Sequence, residues 1–268
     1  MQLVIAERGS PAPAPPDASD PSTTAWRDDA GALVAVGQTV GDRHWVHVPR
    51  LGAFSFARDD DHITAMPEPD ADPDLIEDAY RRMIMPLALQ ARGQEVLHAS
   101  AVRTDAGVIA LCAVSGTGKS TIACALSRRG HLLWADDAVC FAPKDAAVEA
   151  QPLPFTLRLR PASAALFDDE PATGELRSPT ERERLAGVFV LARAETGGPR
   201  IERLTAADAF REVLTHGYCF SMHDRTRNEA MVRNYLELVD RVPTYRVTFS
   251  EGLDRLDATL DVIEGALE

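Results

Sequence analysis

A run of seven apolar residues, Val108 to Val114, stops at Ser115-Gly116-Thr117-Gly118 and passes through Lys119-Ser120 into a helical pattern. No other junction constrains the chain as strongly. The apolar run reads as a buried strand. Beyond the loop, Ile122, Ala125 and Leu126 share one helical face, Arg128 and Arg129 sit in the last turn, and Gly130 supplies the stop. A strand that feeds a helix N-terminus through a small-residue loop aims backbone N–H groups and the positive end of the helix dipole at one point, an arrangement suited to an anion.

Ala113 to Ser120 match the phosphate-binding loop pattern except at its first position, where Ala113 stands for Gly. In that pattern small residues let the backbone wrap the phosphates, Lys119 reaches the terminal phosphates and Ser120 can ligate Mg²⁺. Lysine is scarce here, Lys119 and Lys144 against 26 arginines. That drops the accidental rate of such a match to the order of one in a hundred. ATP or GTP with Mg²⁺ is therefore expected at Ser115, Gly116, Thr117, Gly118, Lys119, Ser120 and Thr121. A second apolar strand, Leu132 to Ala135, ends in Asp136 and Asp137. A carboxylate there can hold Mg²⁺, directly or through water, or take a proton from a nucleophile. Neighbouring side chains on an extended strand diverge, so the two acids are expected to divide these tasks.

The flanking sequence suggests an α/β chain of two parts. Residues 1–92 read as a small β-rich module with a linking helix, and residues 93–268 as the P-loop domain. Leu3 to Ala6 is a candidate strand, Ser10 to Thr24 is a Pro-, Ala- and Asp-rich loop, and Trp45 to Val48, Gly52 to Ala57 and His62 to Ala65 have strand character. Pro73 to Arg92 is an amphipathic helix, with a kink expected at Pro86 and an end at Gly93. Val96 to Val102 is expected as one strand of a hairpin whose turn is Thr104 to Gly107. Later strands are expected at Phe155–Leu159, Gly187–Leu191 and Tyr245–Phe249, and helices at Ala206–Thr215, Arg227–Arg241 and Leu253–Leu267. His216, His223, Asp224 and Arg225 lie in a stretch that reads first as a plain surface loop and second as a border of an acceptor site.

Leu97-His98-Ala99 through Ala135-Asp136-Asp137 resembles the catalytic core of HPr kinase/phosphorylase, the bacterial serine kinase of the phosphotransferase carrier protein. The likeness covers about forty residues. It is carried by His98, 21 residues before Lys119, by the Ser115-to-Ser120 loop, by Arg129-Gly130-His131, and by Asp137, 18 residues after Lys119. The resemblance implies that Asp137 is the base for the acceptor serine, Ser120 a Mg²⁺ ligand, Lys119 a phosphate clamp and His98 an active-site residue near the phosphates. Asp136 joins them as a second catalytic and metal-binding acid. The family's Glu-Ile-Arg-Gly segment has its counterpart in Arg158-Leu159-Arg160-Pro161, where Arg replaces the metal-binding Glu. Arg158 and Arg160 are thus candidate phosphate clamps. The layout is also similar to the lasso-peptide tailoring kinases, which phosphorylate a serine of a precursor peptide.

The expected partner is accordingly a peptide or protein bearing an acceptor serine. Two other readings stay open: a nucleotide-dependent sensor without transfer, and a small-molecule kinase. A net charge of −13 argues against a nucleic-acid or anionic-membrane surface. Nine carboxylates between Asp59 and Asp78 read as a solvated stretch. Met1 to Ala6 fits neither a signal peptide nor a membrane span, so a cytoplasmic protein is expected. Cys112, Cys124, Cys140 and Cys219 show no metal or disulfide spacing. A homo-oligomer stays open.

Overall fold

The structure is a computed structural model that describes every residue except 8, 9, 11, 21, 22, 29, 156, 158, 160–163, 165, 166, 168–181, 222 and 268. The chain is mixed α/β and forms two compact units, each with its own mixed sheet. One unit is Met1–Gln94 with Tyr218–Ala230; the other is Glu95–Gly217 with Met231–Glu268.

The first unit is built on strands β1 (Gln2–Ile5), β2 (Thr24–Arg27), β3 (Leu33–Val40), β4 (Arg43–Val48), β5 (Gly52–Ala57) and β6 (His62–Pro67), in the order β1-β6-β5-β4-β3-β2. Neighbours are antiparallel except β1, which lies parallel to β6. Asp72 caps the following helix, its side chain accepting from the Asp74 N–H at 2.9 Å. That helix is not a single helix kinked at Pro86. It runs as α1 (Pro73–Ala79), a π-helical turn (Tyr80–Ile84) and α2 (Met85–Ala91). Pro86 lacks an N–H and its ring would crowd the carbonyl four residues back. The widened turn, in which the Met85 N–H reaches back to the Tyr80 carbonyl, places Pro86 in the first turn of α2, where neither defect matters.

Tyr218–Ala230 joins this unit through aromatic packing. Phe220 lies against Trp26, His44 and Phe56, with ring centroids 6.0, 4.7 and 5.7 Å away. The Gln90 side chain accepts from the Phe220 N–H at 2.8 Å, and Arg227 Nε donates to the Gln90 carbonyl at 2.6 Å.

The second unit contains β7 (Glu95–Leu97), β8 (Ala99–Thr104), β9 (Gly107–Cys112), α3 (Lys119–Arg128), β10 (Leu132–Ala135), β11 (Val139–Lys144), β12 (Ala147–Pro152), β13 (Glu183–Ala194), β14 (Arg200–Arg203), α4 (Ala206–Leu214), most of α5 (Arg225–Arg241), β15 (Thr244–Ser250) and α6 (Leu256–Glu264). β8 and β9 form the expected hairpin, and β9, β13 and β15 run parallel. Val96 to Val102 is not one strand: β7 pairs with β11, β8 pairs with β9 and β10, and His98 interrupts them. The His98 N–H donates to the His216 carbonyl at 2.7 Å, and Leu97 bridges to Gly217, which pulls the chain out of the β8 ladder. The expected C-terminal helix opens with a 3-10 turn, Leu253–Arg255, before α6. The strand expected over residues 155–159 falls partly outside the described residues, and Arg158 and Arg160 lie outside them.

Alternate residues of the parallel strands build the core of this unit. Ile109 and Leu111, Phe189 and Leu191, and Val247 and Phe249 pack under Ile122, Ala123 and Leu126 of α3 and Leu260 and Ile263 of α6. Each fully buried large side chain contributes roughly 1.5–3 kcal/mol. The C-terminal end of α3 is tied to α6 by Arg129, which meets Asp257 Oδ1, Asp261 Oδ1 and Glu264 Oε2 at 3.0, 2.7 and 2.6 Å. The Arg129-Gly130-His131 segment therefore has a structural role, since His131 also meets Glu264, at 3.1 Å.

Candidate active site at the carboxyl end of β9

Residues 113–118 connect β9 to α3 and turn sharply because Gly116 and Gly118 take φ of +84° and +117°. Only glycine adopts such values without strain. Ala113 is not among the residues with positive φ, which explains why the first position tolerates a side chain. Thr117 is buried and its N–H donates to the Val114 carbonyl at 3.3 Å, while Ser115 and Gly116 form the exposed crest. Lys119 is the first residue of α3 and is buried. Its Nζ donates to the Ala113 carbonyl at 3.0 Å, so the ammonium arches back over the loop. Thr121 follows in the first turn, half-buried.

Three elements meet at Asp136. It follows β10 and is only 4% exposed. Its Oδ1 accepts from Ser100 Oγ of β8 at 2.6 Å and from Ser120 Oγ of α3 at 2.9 Å. Burial, and then the neighbouring Asp137 charge, push its carboxyl above the ordinary 3.8, while the two hydroxyls and the Asp137 N–H oppose the rise. A carboxylate held in a water-poor place beside a second acid and a hydroxyl is a donor set suited to a hard cation.

Asp137 does not continue an extended strand. Its φ is +67°, a left-handed turn that sends the chain toward β11 and leaves Asp137 half-buried beside the buried Asp136. The two acids differ in exposure because of this turn rather than because of strand alternation.

His98 is half-buried between β7 and β8 and is joined through its backbone to His216. His216 lies in this unit, and burial followed by the Lys119 charge hold its imidazole below the ordinary 6.5, against the pull of Glu212. His216 sits in a turn, and the Lys119 charge acts on it there. His223, Asp224 and Arg225 belong to the other unit. Cys112 and Cys140 are inert thiols, both pushed up to about 12 by burial.

One further residue borders the loop. A Cβ on Gly118 would lie 3.7 Å from Nη2 of Arg193, near the carboxyl end of β13. Nothing local in the sequence marks Arg193. Only the alignment of β13 with β9 would have found it.

No family model matches the chain, and a search of curated proteins finds no match. Among solved structures, the Hpr(Ser) kinase/phosphatase from Coxiella burnetii aligns with it at a TM-score of 0.36 and 14% identity, over 64% of this chain and 96% of that one. Among the described residues no helix is long and apolar enough to cross a membrane.

Proposed function

We propose that the chain is an ATP- and Mg²⁺-dependent kinase that transfers the γ-phosphate to a serine hydroxyl of a peptide or protein. The observation that carries this reading is the convergence of Ser120 and Asp136, joined at 2.9 Å, at the N-terminus of the helix that Lys119 begins. The residues fit the metal: Ser120 Oγ and the Asp136 carboxylate would hold Mg²⁺. A bound ion would supply positive charge against that developing on the phosphates.

The chain's own groups do the rest. The N–H groups of residues 115–121 wrap the phosphates, and Lys119 exchanges its hold on the Ala113 carbonyl for the terminal phosphates. Asp137, the more exposed acid, accepts the proton of the acceptor hydroxyl. The serine oxygen then bonds to the γ-phosphorus as the anhydride bond breaks and ADP leaves. His98, Arg158 and Arg160 are proposed to border the phosphates, and residues 93–268 to be the catalytic part. The serine acceptor rests on the family resemblance, and a lasso-peptide precursor is its narrowest form. In this reading the protein works in the cytoplasm, without nucleic acid or membrane.

The test is Mg²⁺-ATP consumption by the purified chain with candidate serine peptides, read by intact mass. A peptide gaining one phosphate is the expected result. Lys119→Ala should abolish nucleotide binding or turnover, and Asp137→Asn should spare binding while removing transfer. Wild-type turnover by Asp137→Asn would sink the assigned base. ATP binding with no product from peptides, HPr or small alcohols would replace the kinase with a nucleotide sensor.

A further inference from the structure

β13 outruns β9 beside the 113–118 loop. Val190 is in register with Cys112, the last residue of β9, so residues 191–194 continue alongside the loop. Side chains on one face of a strand recur at every second residue. Phe189 and Leu191 lie in the core under α3, and Arg193 is the next position on that face. Its register partner in β15 is Phe249, and the guanidinium carbon sits 4.8 Å from the centre of that ring. Phe249 is buried while Arg193 is exposed, so one face of the guanidinium rests on the ring and the other faces outward.

One more observation marks this place as built. The turns after β13 and β15 are tied together: Ser250 Oγ donates to the Gly197 carbonyl at 2.8 Å, and Arg255 Nη1 donates to Gly197 O at 2.8 Å and to Ser250 Oγ at 2.6 Å.

Sheet order decides which end of a ligand Arg193 would meet. Asp136 and Ser100 lie on the β8–β10 side of β9, and Arg193 with Phe249 on the β13–β15 side. A nucleotide whose terminal phosphate reaches the acids extends its nucleoside the other way. We propose that the outward face of Arg193, backed by Phe249, is the stacking platform for the nucleobase of the bound nucleoside triphosphate. This rests on the phosphate-loop reading above. A guanidinium plane stacks on any base, so the platform takes adenine and guanine with little discrimination.

The experiment is calorimetric binding of ATP, GTP and inorganic tripolyphosphate, each with Mg²⁺, to the full chain as wild type, Arg193→Ala and Arg193→Lys, with circular dichroism to establish folding. Arg193→Ala should weaken ATP and GTP about tenfold, the order of one stacked base, and leave tripolyphosphate unchanged. Arg193→Lys, which keeps the charge without the plane, should behave as Arg193→Ala does. Equal weakening of all three ligands would make Arg193 a phosphate ligand and overturn the platform, as would unchanged ATP affinity. A wild-type chain that binds none of the three would overturn the phosphate-loop reading itself.

Discussion

Replacing Ser100 with Ala removes one hydroxyl from the Asp136 carboxylate and leaves β8 otherwise intact. Ser100 is fully buried and donates at 2.6 Å. A hydrogen bond to a charged group contributes roughly 1.5–3 kcal/mol, and Asp136 keeps the Ser120 hydroxyl; a loss of about 2 kcal/mol follows at neutral pH. The pH dependence has a definite sign. Asp136 titrates above 3.8 in the folded chain, so between that value and the raised one the folded state holds the extra proton and stability falls as pH rises. The Ser100 bond opposes that rise, and its removal lifts the folded pKa further. The deficit of Ser100→Ala is therefore full only above the variant's further-raised pKa and shrinks in acid toward the value of a neutral pair, about 1 kcal/mol. Trp134, 1% exposed and two residues before Asp136, is the local reporter. The assay is metal-free urea unfolding followed by its fluorescence, with Trp26 and Trp45 replaced by Phe. A deficit under about 0.5 kcal/mol at neutral pH, the range of indifferent surface changes, would refute the reasoning, and so would a deficit that grows in acid.

Other perturbations probe the frame around the site. Gly217→Ala would set a Cβ 2.6 Å from Tyr235 Oη and 2.9 Å from Met231 Cε. Tyr235 is fully buried and donates to the Val96 carbonyl at 3.1 Å, so its ring must move and that bond must lengthen. The expected destabilisation is about 1–3 kcal/mol, and a thermal melt matching wild type would count against it. Arg129→Ala frees α6 from α3. Because the guanidinium and its carboxylates are partly exposed, a loss of about 1 kcal/mol is expected at low salt, and a melting difference that persists unchanged at high salt would contradict the ion-pair account.

What the sequence made legible is what depends on neighbours along the chain. The apolar run into Gly116 and Gly118, the helix from Lys119 to a stop at Gly130, and the strand ahead of Asp136 are all set by local period and by backbone freedom, with Gly130 at φ +103°. Ser120 and Asp136, sixteen residues apart, were readable together because a helix and a strand return the chain to the same edge. The break at His98 was not readable. It depends on His216 and Gly217, more than a hundred residues away, and nothing near Leu97 signals a partner there. Phe220 likewise gives no local sign that it completes an aromatic cluster with Trp26, His44 and Phe56.

Asp137 and Arg193 show the two ways a site residue escapes a pattern. The Asp-Asp pair suggested division of labour by strand alternation, but the chain turns left-handed at Asp137, and that turn, not the pleat, separates a half-buried acid from a buried one. Arg193 ends an apolar strand and reads as an ordinary solvent-facing residue until β13 is aligned with β9 and β15. A shift of one residue in that alignment would move Arg193 to the opposite face of the sheet, away from Phe249 and Gly118. Its place beside the loop is therefore a property of register, which the Phe189, Leu191, Val247 and Phe249 side chains hold by filling the core beneath α3. A substitution that slips β13 would dismantle the loop's surroundings without touching any residue of the loop.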